Sequence, residues 1–146
     1  MKFTCSVQIN LPPVKVIPLF NNSDNYSKWQ DGFVSLEQLS GNPGEKGAKS
    51  RFIYQSGKKT IELIETIIEN RLPSEFTALY EAKEMTNIMK NTFTPAAPGK
   101  TKYTAEIEYI KFSSIMMKIM SLFLKQTFRK QTQKWLEQFK VFAESN

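Results

Sequence analysis

The stretch that decides the fold is Ser113–Glu144, SSIMMKIMSLFLKQTFRKQTQKWLEQFKVFAE. No Pro or Gly interrupts it, and strong helix formers dominate it. Ser113 and Ser114 are candidate N-caps, since a serine oxygen accepts a bond from a free amide of the first turn. As one helix it would run about 45 Å at ~1.5 Å per residue, as long as a small domain is wide. Leu124, Phe128, Thr132, Leu136, Phe139 and Ala143 recur at three- and four-residue steps and predict a core-facing stripe from Phe128 onward. Ile115 to Leu124 differs, being apolar nearly all round. Such a segment is buried on most sides or touches something else that is apolar. Three readings stay open for it: wall and gate of a cavity, dimer contact, or docking on anionic lipid helped by Lys118, Lys125, Arg129 and Lys130.

Upstream the pattern changes from helical to alternating. Phe3, Cys5, Val7, Ile9 and Leu11 alternate with polar residues and predict a half-buried strand ended by Pro12-Pro13. Val14–Phe20 predicts a short helix opened by Pro13 and limited by Pro18. Asn25–Gln30 predicts a second, before the Asp31-Gly32 turn. Strands are expected at 33–39, 50–55, 60–70, 76–81, 85–93 and 103–109. In 60–70 the alternation breaks near Leu63–Ile64 and Ile67–Ile68, which predicts two bulges. The order is strand, two short helices, further strands joined by short loops and hence antiparallel, then the long helix.

Composition excludes several functions. The chain has 146 residues, net charge +6, one Cys and no His. The missing histidine removes Ser-His and Cys-His nucleophilic catalysis and imidazole metal sites, and one thiol builds no metal cluster. No metal and no cofactor are expected. The Lys and Arg form no run and no nucleic-acid motif, so nucleic acid is not an expected partner. The N-terminus does not read as a signal peptide, and Ile115–Leu124 is too short to span a bilayer, so stable membrane insertion is not expected. A reducing, cytoplasmic setting is the simplest expectation.

The layout resembles the START-like (SRPBCC) helix-grip superfamily of polyketide cyclases, lipid-transfer domains, quinone-binding and pathogenesis-related proteins. Two segments add to it: Tyr26-Ser27-Lys28-Trp29-Gln30-Asp31-Gly32 and Trp135-Leu136-Glu137-Gln138-Phe139-Lys140. The resemblance spans nearly the whole chain and implies one ligand-binding domain over residues 1–146. It implies an α+β fold in which a curved antiparallel sheet of about seven strands wraps the C-terminal helix, with two short helices after the first strand. It further implies an apolar cavity between sheet and helix, binding a hydrophobic small molecule or lipid. A minority of members cyclise or dehydrate their substrate, and the superfamily has no universal catalytic residue to carry over.

Residues expected to line that cavity are Tyr26, Trp29, Phe52, Tyr54, Phe76, Tyr80, Met85, Asn87, Met89, Phe93 and Tyr103 from strands and short helices. Met116, Ile119, Met120 and Phe123 join them from the long helix. Tyr54, Tyr80 and Tyr103 are candidates to orient a polar group, since a buried hydroxyl seeks a partner. Asn87 and Asn91 share a face with Met85, Met89 and Phe93, and whether it points inward is left open. Among acid–base candidates Glu62, Glu65, Glu69, Glu106 and Glu108, alternation favours solvent exposure, with Glu65 least settled. Arg51 and Arg71 are expected at the surface and Cys5 in the core. The alternatives to ligand binding are a cyclase/dehydratase-type enzyme, and an interaction module or homodimer built on the apolar helix start.

Overall fold

The structure, a computed structural model, describes all residues from Met1 to Asn146. Strand β1 (Lys2–Ile9) is followed by helix α1 (Pro13–Phe20), then by a 3-10 turn (Ser23–Asn25) that runs into α2 (Tyr26–Trp29). Six strands come next: β2 (Phe33–Ser40), β3 (Lys49–Ser56), β4 (Lys59–Arg71), β5 (Glu75–Glu81), β6 (Met85–Pro95) and β7 (Thr101–Phe112). Helix α3 (Ile115–Glu144) closes the chain. The strands form one seven-stranded antiparallel sheet in the order β1-β7-β6-β5-β4-β3-β2. This is the helix-grip architecture expected from the order of elements.

Register decides which face each side chain takes, because residues directly opposite one another share a face. Cys5 lies opposite Ala105, Ala105 opposite Asn91, and Asn91 opposite Phe76. All four are buried, so this is the inner face. Asn87 lies opposite Tyr80 and Tyr109, and it too points inward. The open question of the two asparagines is thereby settled: both face the helix side of the sheet.

Of the two bulges expected in β4, one exists. The register with β5 slips between Ile67 and Glu69, leaving Ile68 as the extra, exposed residue and bringing Asn70 opposite Phe76. Pairing with β3 runs unbroken through Leu63 and Ile64. Ile64 is simply an apolar residue on the outer face, opposite Arg51 and Glu81. A further slip in β2 separates Val34, which is exposed, from Leu36, which pairs inward with Phe52.

One end of the grip is a packed aromatic core. Phe20 of α1 sits at its centre, with ring centroids 4.8 Å from Phe93, 5.7 Å from Tyr103, 5.8 Å from Phe139, 6.0 Å from Phe76 and 6.2 Å from Trp29. Edge-to-face pairs dominate there, the arrangement favoured by ring quadrupoles. Cys5 is buried in the same core, and burial pushes its thiol pKa up.

Helix α3 starts where its sequence predicts: the Ser114 hydroxyl accepts a bond from the Met117 N–H at 3.1 Å. Leu136, Phe139 and Ala143 are buried in the core, with Phe128 and Trp135 packed against it. The helix lies along β1, with lighter contacts to β7, α1 and α2, and none of β3–β6 approaches it comparably. Gln133 Nε2 and Lys140 Nζ tie it to the edge strand by donating to the carbonyls of Ser6 and Gln8 at 2.9 and 2.6 Å. The concave face of β3–β6 is thus left uncovered by the helix backbone.

Gly32 ends the α2 region with φ +76°, a conformation only glycine adopts without strain. Its amide plane lies against β3, where the Gln55 N–H donates to the Gly32 carbonyl at 2.8 Å. A Cβ at position 32 would collide with the Gln55 carbonyl oxygen.

Candidate functional site

A row of polar side chains crosses the middle of the concave face. Cross-strand pairing aligns Gln38 (β2), Ser50 (β3), Glu65 (β4), Tyr80 (β5) and Asn87 (β6) in one line. Two contacts within the row are direct. The Ser50 hydroxyl donates to Gln38 Oε1 at 3.0 Å, and the Tyr80 hydroxyl donates to Glu65 Oε2 at 2.8 Å.

Glu65 is the chemical centre of this row. It is 7 % exposed, so its carboxylate has lost most of its hydration. Burial pushes its pKa up to about 7, against which the Tyr80 hydrogen bond acts in the opposite direction. Tyr80 is its one hydrogen-bond partner in the protein, and no cation offsets the burial. Near neutral pH this carboxyl is therefore divided between an acid that can donate a proton and a base that can take one. The Tyr80 phenol is pushed well above its ordinary value, first by burial and then by Glu65, so it stays a donor.

Aromatic rings flank the row. Tyr26 (α2) stacks on Phe52 with centroids 5.9 Å apart, and Phe52 stacks on Tyr54 at 6.1 Å. Tyr54 in turn lies 5.4 Å from the ring of Trp135 on α3. Phe52 and Tyr54 are buried yet stand apart from the main core cluster. Burial raises the phenols of Tyr26 and Tyr54, and the Glu65 carboxylate raises both further, which places these rings around the same charge. Tyr54 is anchored, donating to Gln30 Oε1 at 2.8 Å.

The residues expected to line a cavity between sheet and helix divide into three groups, and two surface clefts lie outside that space, one between α2 and the end of α3 and one beside the start of α3. Trp29, Phe76, Phe93 and Tyr103 belong to the packed core. The Tyr103 hydroxyl donates to Asn91 Oδ1 at 2.7 Å, and Asn91 Nδ2 donates to the Phe76 carbonyl at 3.4 Å, so this polar pair serves the core itself. Tyr26, Phe52, Tyr54, Tyr80, Asn87 and Met89 come together on the concave face, with Met85 half-buried at the start of β6. Met116, Ile119, Met120 and Phe123 are exposed on the far side of α3. Its inward positions at that level are Met117, Ser121 and Leu124, of which Ser121 is buried.

Glu65, the least settled of the five carboxylates expected at the surface, is the one that is buried. The signal was present: Ile61, Leu63, Glu65 and Ile67 form an unbroken two-residue period, masked by the outward apolar residues Ile64 and Ile68. Glu62 and Glu108 are exposed, and Glu69 and Glu106 are half-buried away from the concave face. Arg51 pairs with Glu37 at 2.8 Å and Arg71 with Glu75 at 2.7 Å, both outside the site. No group of three His, Cys, Asp or Glu side chains comes together as a metal site. No helix is long and apolar enough to cross a membrane.

Comparison with solved structures places this architecture. The chain superposes on the ZhuI aromatase/cyclase from Streptomyces sp. R1128 with a TM-score of 0.82 at 9% identity, covering 99% of this chain and 93% of that one. It matches Ara h 8.0201 with a TM-score of 0.76 at 14% identity, over 100% and 99% of the two chains. The ginseng major latex-like protein 151 from Panax ginseng gives 0.72 at 12% identity, over 98% and 97%. The fold is that of the START-like helix-grip proteins. No family model and no curated protein matches the sequence.

Proposed function

We propose that residues 1–146 act as one domain that binds a hydrophobic or amphipathic small molecule or lipid on the concave face, between the sheet and α3. The observation that carries this reading is the Glu65–Tyr80 pair, a carboxyl without a cation in a polar row flanked by Tyr26, Phe52, Leu63 and Met89. A buried carboxyl with one protein partner retains acceptor capacity. The matching ligand carries a hydroxyl, phenol or amine that donates to Glu65, with an apolar body against the aromatic and aliphatic side chains. Apolar burial drives association at roughly 25 cal/mol per Å² before association costs, and the polar row fixes orientation. The same fold in a plant latex-like protein and in Ara h 8.0201 is compatible with this use. The single buried thiol fits a reducing cytoplasmic setting.

Titration with lipids, quinones and polyphenols, read by native mass spectrometry, tests it. Saturable one-to-one binding is expected, weakened about tenfold or more (about 1.4 kcal/mol) in both Glu65→Gln and Tyr80→Phe. Binding that is absent across the panel, or indifferent to both changes, overturns the reading.

The raised Glu65 pKa favours a second reading, an enzyme of cyclase/dehydratase type without metal. ZhuI, which shares the fold, is an aromatase/cyclase. Glu65 would exchange a proton with the bound substrate, and Tyr80, whose single O–H donates to the carboxylate, would hold it in place. The distinguishing result is turnover whose rate depends on a group titrating near pH 7 and is lost in Glu65→Gln.

A further inference from the structure

We propose that the outward face of the first turns of α3 is a docking surface for an anionic lipid bilayer. This face lies opposite the interior side of the helix and stands independently of the ligand reading.

The surface is unusual in both its apolar and its charged parts. Ile115, Met116, Leu122 and Phe123 are 80, 71, 66 and 83% exposed, and Ile119 and Met120 are exposed beside them. Folding leaves large apolar side chains in water singly as a rule, and a contiguous set marks a contact surface. At about 100° per residue these six span about 160° of the helix circumference, while Met117, Ser121, Leu124 and Phe128 occupy the opposite side. Ile110 of β7 is also exposed, and a cleft lined by Tyr109, Phe112 and Ile115 joins it to the helix start.

Charge selects the occupant. Between Glu108 and Glu137 the chain has no Asp or Glu, but it carries Lys111, Lys118, Lys125, Arg129, Lys130 and Lys134. Those cations equal the net charge of +6, so the whole positive excess lies in this stretch. On the helix, Lys118, Lys125 and Arg129 form a stripe along one edge of the apolar face, and Lys130 lies beyond its C-terminal end. A homodimer would bring two such stripes together and oppose like charges. An apolar face edged by lysines matches a helix lying in the plane of an anionic membrane, with Phe and Leu in the acyl boundary and Lys and Arg at the headgroups.

Co-sedimentation with vesicles of phosphatidylcholine alone, and of phosphatidylcholine mixed with phosphatidylglycerol, tests the proposal on the full chain. The expected result is binding to the mixed vesicles only, weakening as salt rises. Lys118→Gln, Lys125→Gln and Arg129→Gln should each lower affinity about fivefold, the equivalent of about 1 kcal/mol per charge near the surface. Leu122→Ser with Phe123→Ser should abolish binding, while Val141→Ser, exposed at the far end of α3, should leave it unchanged. Circular dichroism of each variant establishes that the fold is kept. Equal binding to neutral and anionic vesicles, no vesicle binding, or indifference to the Leu122/Phe123 change would each overturn the proposal. So would light scattering that finds a dimer broken by Phe123→Ser with no vesicle binding by either form.

Discussion

Replacing Glu65 with Gln should make this protein more stable at neutral and alkaline pH. The side chain is buried, and its pKa is pushed from an ordinary 4.5 to about 7. That change corresponds to about 3 kcal/mol, at about 1.4 kcal/mol per tenfold change in proton affinity. Between the two values the folded chain holds the proton and the unfolded chain has released it, so the folded state binds more protons. Wild-type stability therefore falls as pH rises from about 4.5 to about 7, and the loss is complete above that. Glutamine removes the charge and keeps an amide oxygen that accepts the Tyr80 O–H. Glu65→Gln should match the wild type below about pH 4.5 and exceed it by about 3 kcal/mol at pH 8. For a chain of this length that is roughly 6–12 °C in Tm. The assay is guanidinium unfolding of both proteins at a series of pH values, taking the difference at each. Asp31, Glu75 and Glu144, whose pKa values are lowered by their own hydrogen bonds, contribute equally to both and cancel. A difference that stays flat across this window, or a variant less stable at pH 8, would refute the assignment of Glu65 as a desolvated carboxyl without a cation.

Tyr80→Phe removes the bond that holds the Glu65 pKa down, so the midpoint of the same stability profile should move to higher pH. Tyr103→Phe leaves Asn91 Oδ1 without its donor in the core and should cost about 1–3 kcal/mol of stability by denaturant unfolding. Phe139→Ala opens the packed aromatic core and should cost about 3–5 kcal/mol in the same assay. Gly32→Ala meets both the positive φ and the Gln55 carbonyl, and thermal unfolding should show a loss of about 1–3 kcal/mol.

Local chemistry wrote much of the fold into the sequence. A Pro- and Gly-free run capped by Ser114 has one favourable conformation, so α3 was legible nearly to its ends. Two-residue alternation placed β1 and most other strands, since side-chain direction along a strand depends only on parity. The absence of histidine removed whole classes of catalysis without any structure.

Tertiary structure alone decided the rest. The charge state of Glu65 depends on desolvation by residues distant in sequence, and those meet it only when β3, β4 and β5 pair in register. The inward direction of Asn87 and Asn91 was fixed only when β6 paired with β5, setting Asn87 opposite Tyr80 and Asn91 opposite Phe76. The residues from Ile115 to Leu124 are apolar on nearly every side, so the sequence has no phase there from which to read orientation. The contacts of α3 with β1 and the aromatic core fix the rotation of the whole helix, and that rotation turns Phe123 to solvent and Ser121 inward. A rigid helix transmits a choice made at Leu136 and Phe139 to its far end, and for that reason the exposed apolar face belongs to the fold rather than to the segment that carries it.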